Sequence, residues 1–395
     1  MHFLYVRLAG KRNTQVTAIK IDFCPHICYN IRMNPLLTED MKNIEQRLSQ
    51  VLPKDITTAW QHEYFGTLPE GTVIQSRHIE PMIEPCRALV QHGGKRWRPL
   101  LLLLCAKMVA QKNGASADTA YRNALSLVGM VELVHTASLI HDDIEDNADT
   151  RRGAPAAHIA HGLDTALNAG AWLYFAAAAC IDGAAIPDET KLRLYQLYAR
   201  ELRRLHLGQG MDIAWHRDAQ KVPSVQEYMA MVRCKTGTLA SLAAQTGAVA
   251  AGADSATADR LGAIAADIGA GFQVLDDVTN LTAGNPGKRR GDDIVEGKKS
   301  LPVLLFHAQA DEGKRQALSA CFVRAAEEGI ESPAVEEAIA LLKESGAIKS
   351  AYDTAARLVS DSCAALLHQF PAESDSAPSM LAAGLFTDLI DTFSL

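Results

Sequence analysis

Two aspartate clusters, each closing a helix-length apolar run, limit what this chain can fold into. The first, Asp142-Asp143-Ile144-Glu145-Asp146, follows the run from Val131 to Ile140. The second, Asp276-Asp277-Val278-Thr279-Asn280, follows the run from Ile268 to Leu275. Residues four apart on a helix share a face, which pairs Asp142 with Asp146 and Asp276 with Asn280. The clusters lie 134 residues apart, from position 142 to position 276. That separation fits two long helices facing each other across a bundle, where bundles commonly build metal sites.

Each cluster is followed by cations: Arg151-Arg152 after the first, and Lys288-Arg289-Arg290 with Lys298-Lys299 after the second. Hard carboxylate oxygens attract Mg²⁺, which typically bridges one or two carboxylates to a substrate phosphate. Arg and Lys then hold the remaining phosphate charge. A single cluster of this kind is more often a solvated helix face. Its recurrence, its position at the ends of apolar helices and the basic residues behind it favour a diphosphate clamped between helices.

The rest of the chain alternates helix-length apolar patterns with short breaks. These fall at Lys112–Asp118, Thr150–Pro155, Asp182–Asp188, His216–Pro223, Ala251–Thr257, Ala283–Asp292 and Pro371–Pro378. Ser224-Val225-Gln226-Glu227 is a capping-box pattern opening a helix toward about Val249. No strand alternation bounded by hairpin turns and no repeat is visible, so the chain reads as all-α. Abundant Ala, only 6% aromatics and sparse β-branched clusters favour closely packed helices.

Residues 1–32 differ, with five Arg or Lys against one Asp and no helical period. They read as an irregular extension, either a transit peptide or, preferred, an upstream-extended start with Met33 the expected initiator; Thr38 to Leu52 is the first amphipathic helix and 33–395 the helical domain. A net charge of −7 argues against a nucleic-acid partner. No uninterrupted apolar run approaches the roughly 18 residues of a membrane span. The eight cysteines are scattered, as for reduced cytoplasmic thiols, and Cys24-Pro25-His26-Ile27-Cys28 has no second pair at zinc-site spacing.

Six segments, in order, resemble the trans-isoprenyl diphosphate synthase (polyprenyl synthetase) family. Gly93-Gly94-Lys95-Arg96-Trp97-Arg98-Pro99 is similar to its GGKxxRP segment. His135 to Gly153 resembles the first aspartate-rich motif with its trailing RRG, Gly208 to Asp212 the GQxxD element, and Lys235-Thr236-Gly237 the KTG element. Phe272 to Asp277 resembles the second aspartate-rich motif, followed by Gly291-Asp292-Asp293-Ile294 and Gly297-Lys298-Lys299-Ser300.

The resemblance implies a single large antiparallel helix bundle around a central cavity, a homodimer, and head-to-tail condensation of isopentenyl diphosphate with an allylic diphosphate. Asp142, Asp146 and Asp276 are the leading expected Mg²⁺ ligands, with Asp143, Asp277 and Asn280 secondary. Asn280 stands where a third Asp is common and brings no charge. By resemblance Arg151, Lys235, Arg289 and Lys298 contact the allylic diphosphate, while Lys95, Arg98, His135 and Arg152 hold isopentenyl diphosphate. Thr236 and Gln273 fall where the family shields the developing cation, and Gln209 and Asp212 where they would brace the site.

Small residues, Ser138 and Ala137, lie one turn or roughly 6 Å from Asp142, which favours products of about twenty carbons or more. Trp172, Tyr174 and Phe175 are the aromatics placed to form a floor. No GxxxxGK[ST] loop accompanies Gly93-Gly94-Lys95, and no Gly-rich loop or DFG accompanies His216-Arg217-Asp218, so neither is a nucleotide site. His158 and His161 are assigned no metal. The alternatives are a class I terpene cyclase, which would lack the GGKxxRP, RRG and second Asp elements, and a non-catalytic partner subunit, which would lose Asp clusters.

Overall fold

The computed structural model describes residues 34–218, 221–284 and 289–390, so the extension 1–32 with Cys24 and Cys28, and Lys288, lie outside the described residues. A 3₁₀ turn at Pro35–Leu37 leads into α1 (Thr38–Val51), α2 (Thr58–Phe65), α3 (Ser76–Gln91), α4 (Trp97–Asn113), α5 (Ala117–Ser126) and α6 (Val128–Glu145). A two-stranded hairpin, β1 (Thr150–Arg151) and β2 (Ala154–Pro155), precedes α7 (Ala157–His161), α8 (Leu163–Ala176) and α9 (Ala179–Asp182). The middle of the chain is α10 (Asp188–His216), α11 (Val225–Val232), α12 (Thr238–Ala250) and α13 (Ser255–Thr282). It closes with α14 (Asp292–Val295), α15 (Leu301–Gln309), α16 (Glu312–Glu328), α17 (Pro333–Glu344), α18 (Ala347–Gln369) and α19 (Pro378–Ile390). The protein is all-α apart from that hairpin.

Side chains start several of these helices, three of them at or next to expected breaks (Ser116, Ser224 and Asp254) and one, Asp311, where no break was expected. Ser116, Ser224, Asp254 and Asp311 each accept a backbone N–H of the first turn, and Ser224 and Glu227 form the full capping box. The helix expected from Ser224 to about Val249 is present as α11 and α12, joined without a break by a π turn at Arg233–Gly237.

Helix α12 is the centre of the bundle: every residue from Thr238 to Ala250 is buried. It packs against α4, α10 and α13, and α13 packs in turn against α18. A helix covered on all sides needs small residues to let neighbours approach, and α12 supplies Ala, Gly, Ser and Thr. At Gly247 a Cβ would stand 2.0 Å from the Leu102 carbonyl oxygen of α4. On α4 the five leucines Leu100 to Leu104 are all buried, the pattern of an all-round apolar core helix.

One stretch among the described residues, Ala117–Glu145, has the length and hydropathy of a membrane span once α5 and α6 are taken together, which inspection of single apolar runs did not show. Two-thirds of its apolar window is buried inside the bundle. Its hydrophobicity is that of a core helix packed on α8.

Candidate active site

Helix α6 delivers the first aspartate cluster to the end of a cavity. The helix closes at Asp146, whose N–H donates to the Asp142 carbonyl at 2.8 Å, and Asn147 then turns with a φ of 52°. The hairpin behind it places Arg152 (φ 53°) and Gly153 (φ 76°) at its two corner positions. Positive φ at both corners is the twist a two-residue hairpin requires. The turn folds Arg151 back, so that its Nε donates to Asp143 Oδ1 at 2.7 Å and its Nη2 also meets that oxygen. Arg152 instead donates to the Leu89 carbonyl of α3 at 2.9 Å.

The π turn brings in the opposing charge. Lys235 Nζ lies 2.6 Å from Asp212 Oδ2 and 3.2 Å from Asp142 Oδ1. Gly208 of α10 makes this approach possible, since a Cβ there would meet the Lys235 backbone nitrogen at 2.3 Å. π turns within helices recur at functional sites because the extra residue re-aims a side chain. Lys298 forms the second bridge, 3.3 Å from Asp146 Oδ2 and 2.6 Å from Glu296 Oε2. Gln209 donates to Asp142 Oδ1 at 3.1 Å and Glu145 Oε2 at 2.6 Å, in keeping with a bracing role.

The charges are set by this pairing. Burial alone would push the Asp142 carboxyl up, but Lys235, Lys298 and Arg151 outweigh it and hold it well below the usual carboxylate range. Burial would likewise lower both lysines, but Asp142 and Asp212 hold Lys235 up, and Asp293, Asp146 and Glu296 do so for Lys298. Asp143 is pushed up by burial, against the pull of Arg151, and its Oδ2 is buried with no hydrogen-bond partner.

The second cluster divides. Asp276 is exposed, and its charge reaches Lys95, where it opposes the lowering caused by burial. Asp277 is buried and accepts hydrogen bonds from Tyr228 Oη at 2.5 Å and Gln273 Nε2 at 3.1 Å. Burial, reinforced by Asp293, pushes its carboxyl up to about 7. Asn280, expected on the Asp276 face, is wholly buried, and its Oδ1 accepts the Asp293 N–H at 3.3 Å. A residue four positions on is rotated about 40° further round the helix, enough here to turn it from the open cleft into the packing with α14.

A cavity of about 690 Å³, counted to its open mouth, lies beneath these groups. Arg98 and His135 stand on its wall, 3.4 Å apart, with Arg98 also 4.5 Å from the Trp97 ring centroid. Burial, with Arg98 and Arg152 adding to it, pushes His135 well below its ordinary value, so the imidazole is neutral. Thr236 donates to Gln273 Oε1 at 2.8 Å on the cavity side. Ser138 lines the cavity, whereas Ala137 is packed away from it.

The structure corrects some sequence expectations about which residues meet here. Arg289, expected at the allylic diphosphate, pairs with Glu331 at the surface, and its backbone N–H donates to Asp292 Oδ2 at 2.6 Å. Of the three candidate floor aromatics only Tyr174 lines the cavity, packing on His206 at 5.0 Å and His141 at 5.5 Å between ring centroids. Trp172 belongs to a separate aromatic cluster with Trp60, Tyr64 and Phe65, and Phe175 is 80% exposed. At about 100° per residue Tyr174 projects roughly opposite Trp172 and about 100° from Phe175, so the three could not all face one cavity. Sequence reading missed His206 and Tyr228, and named Glu145 and Asp293 within motifs without giving them a role. His206 carried a signal, lying three residues before Gln209 on the same helix face; Tyr228, two helices away from the Asp277 it touches, carried none.

Asp142, Asp143, Asp146 and Asp276 are all hard oxygen donors, a set that suits a divalent cation of the Mg²⁺ type, and the orphaned Asp143 oxygen is free to take one. Among the described residues no three such groups converge on a single point. Cations of the chain itself now cover the carboxylates.

The polyprenyl synthetase family model matches residues 80–341. A geranylfarnesyl diphosphate synthase of Aeropyrum pernix is 33% identical over 303 residues, covering 74% of this chain and 89% of that protein. Among solved structures, a geranylgeranyl pyrophosphate synthetase from Pyrococcus horikoshii superposes with a TM-score of 0.73 at 28% identity, over 90% of this chain and 97% of that one. A polyprenyl synthase from Caulobacter crescentus, complexed with calcium and isoprenyl diphosphate, superposes with a TM-score of 0.72 at 26% identity, over 91% and 96% of the two chains.

Proposed function

Because this chain belongs to the polyprenyl synthetase family, the trans-isoprenyl diphosphate synthases, we propose that it joins isopentenyl diphosphate head to tail to an allylic diphosphate with Mg²⁺. The product is a prenyl diphosphate of the geranylgeranyl or geranylfarnesyl class. One observation carries the reading: Asp142 of α6 is bridged by Lys235 at the cavity, and Asp146 at the end of the helix by Lys298, above a chamber that Leu139, Leu205 and Leu239 help to line. The solved relative that holds calcium with isoprenyl diphosphate supports it.

Bound Mg²⁺ would neutralise the diphosphate as it departs from the allylic carbon. Asp142, Asp146 and Asp276 would hold it, with Asp143 and Asp277 behind them. Lys235, Lys298 and Arg151 exchange their carboxylate partners for phosphate oxygens, so each cation keeps an anionic partner. They are already fixed where negative charge develops, which lowers the barrier by electrostatic preorganisation. Arg98, Lys95 and neutral His135 hold the diphosphate of isopentenyl diphosphate. Gln273 is oriented by its bond to Asp277 and accepts from Thr236, so that neutral oxygen dipoles border the forming allylic cation. The departing diphosphate removes the final proton.

The reading extends to a homodimer in the cytoplasm. Exposed Leu163, Leu167 and Phe175 on α8 offer an apolar face for a second copy, and buried thiols such as Cys86 and Cys105 suit a reducing compartment.

Incubation with Mg²⁺, isopentenyl diphosphate and an allylic primer, followed by chromatography of the products, tests the reaction. Asp142→Ala is expected to lower turnover on the order of a hundredfold or more with the helical circular dichroism intact. Near-normal turnover of that variant at saturating Mg²⁺ would refute the site.

A further inference from the structure

Arg96 ends the loop Gly93–Arg96 at the start of α4, between Lys95 of the loop and Arg98 of the helix's first turn, yet faces away from the cavity and is only 3% exposed. Its guanidinium is fully engaged. Nε lies 2.7 Å from Glu45 Oε1 of α1, Nη1 lies 2.7 Å from Glu132 Oε1 of α6, and Nη2 donates to the Val90 carbonyl at the end of α3 at 2.6 Å. Nη1 also reaches the Gly93 carbonyl within the loop at 3.3 Å. One side chain thus ties three helices to the loop.

The backbone is arranged for this. Arg96 sits in the left-handed region, φ 46° and ψ 22°, which L-residues avoid. Such strain persists only where the surroundings hold it. Gly94, at φ 147°, leaves room for the guanidinium: a Cβ there would stand 3.0 Å from Arg96 Nη1 and 3.1 Å from Arg152 Nη2. Glu132 is itself buried, with 3% of its side chain exposed, and lies one helical turn before His135 on α6. The pair therefore couples the helix that carries His135 and Asp142 to the loop that carries Lys95 and to the first turn of α4, which carries Arg98.

We infer that Arg96, anchored by Glu132, is a positioning residue that sets this loop so that Arg98 stands in the cavity wall beside His135 and Lys95 within reach of Asp276. The inference rests on the proposed function, in which that wall receives isopentenyl diphosphate. Arg96 touches no substrate. Lys cannot replace it, because one ammonium cannot address acceptors on three helices at once in a fixed plane.

The test compares steady-state kinetics of Arg96→Lys, Glu132→Gln and the double variant Arg96→Met/Glu132→Met, with Lys95→Ala and Arg98→Ala as references. The double variant removes both buried charges together, so that neither is left unpaired and the fold is kept. In all three the KM for isopentenyl diphosphate is expected to rise on the order of tenfold, with the KM for the allylic primer and kcat within about twofold of the parent. Melting temperature is measured alongside. A double variant that regains the parent's melting temperature but keeps the raised KM supports positioning. If its KM returns to normal with its stability, or if both substrates' KM values rise equally, the pair is structural only and the inference falls. If Lys95→Ala and Arg98→Ala leave the KM for isopentenyl diphosphate unchanged, the assignment of that wall fails, and this inference with it.

Discussion

Ser138 and Tyr174 both line the cavity that the proposed function fills with a growing prenyl tail. Ser138 lies one turn below Asp142 with its hydroxyl turned back to the His135 carbonyl at 2.8 Å, so it adds almost no bulk to the cavity. Ser138→Phe should fill that space without touching a phosphate ligand, leaving the first condensation intact and shortening the product. Tyr174→Ala should open the wall that Tyr174 and His206 form together and lengthen it. Both outcomes are read by chromatography of the dephosphorylated products. An unchanged product from Ser138→Phe would mean that the tail does not pass this face of α6.

Asn280 calls for a second prediction at this scale. A charged ligand in its place would tighten metal binding if it faced the cleft, but it is buried beside Asp277 and accepts the Asp293 N–H. Asn280→Asp would add a carboxylate to a pocket where Asp277 is already pushed up to about 7. It is expected to destabilise the protein by roughly 2–4 kcal/mol, because a buried charge without a partner is costly. Denaturant unfolding measures this. A lowered Mg²⁺ requirement with unchanged stability would place Asn280 at the metal after all.

At the scale of elements, the π turn between α11 and α12 is the feature on which the site's charge depends. It is held from outside by Gly208, which lets α10 press on the Lys235 backbone. Gly208→Ala should push the turn away and pull Lys235 from Asp142 and Asp212. The expected result is a loss of turnover on the order of tenfold or more with a stability cost of about 1–3 kcal/mol for overpacking. Gly210, where a Cβ meets nothing within 4 Å, serves as the control: Gly210→Ala should keep turnover and add up to about 1 kcal/mol of helix stability. An equal loss of turnover at the two positions would show that the approach to Lys235 is not responsible.

For the whole molecule, the carboxylates of α6 already have partners, and this predicts how ligands stabilise it. Mg²⁺ alone must displace Lys235 and Lys298, whereas Mg²⁺ with diphosphate supplies those lysines with new acceptors. Diphosphate with Mg²⁺ at a hundred times its dissociation constant should add about 2.7 kcal/mol and raise the melting temperature, while Mg²⁺ alone should shift it far less. Equal shifts would mean that the metal site is preformed.

The sequence by itself determined the helical class, most of the breaks and the chemistry of the cavity mouth. These follow from local rules: apolar period, capping side chains such as Ser224, and the four-residue spacing that sets Asp142 and Asp146 on one turn. The ordered motifs also singled out Lys235, Thr236 and Gln273, which meet across helices that the helical period alone does not relate. Only the tertiary structure decided which neighbour each face meets. Packing on α14 turned Asn280 inward, Glu331 drew Arg289 to the surface, and the fit of α8 on α6 chose Tyr174 over Trp172 and Phe175. It also brought Tyr228 to Asp277 and Arg96 to Glu132, separated by 49 and 36 positions. Helical periodicity orients a side chain about its own axis, but the contact it makes depends on distances between axes, and those are set by how small residues such as Gly208 and Gly247 let the helices close.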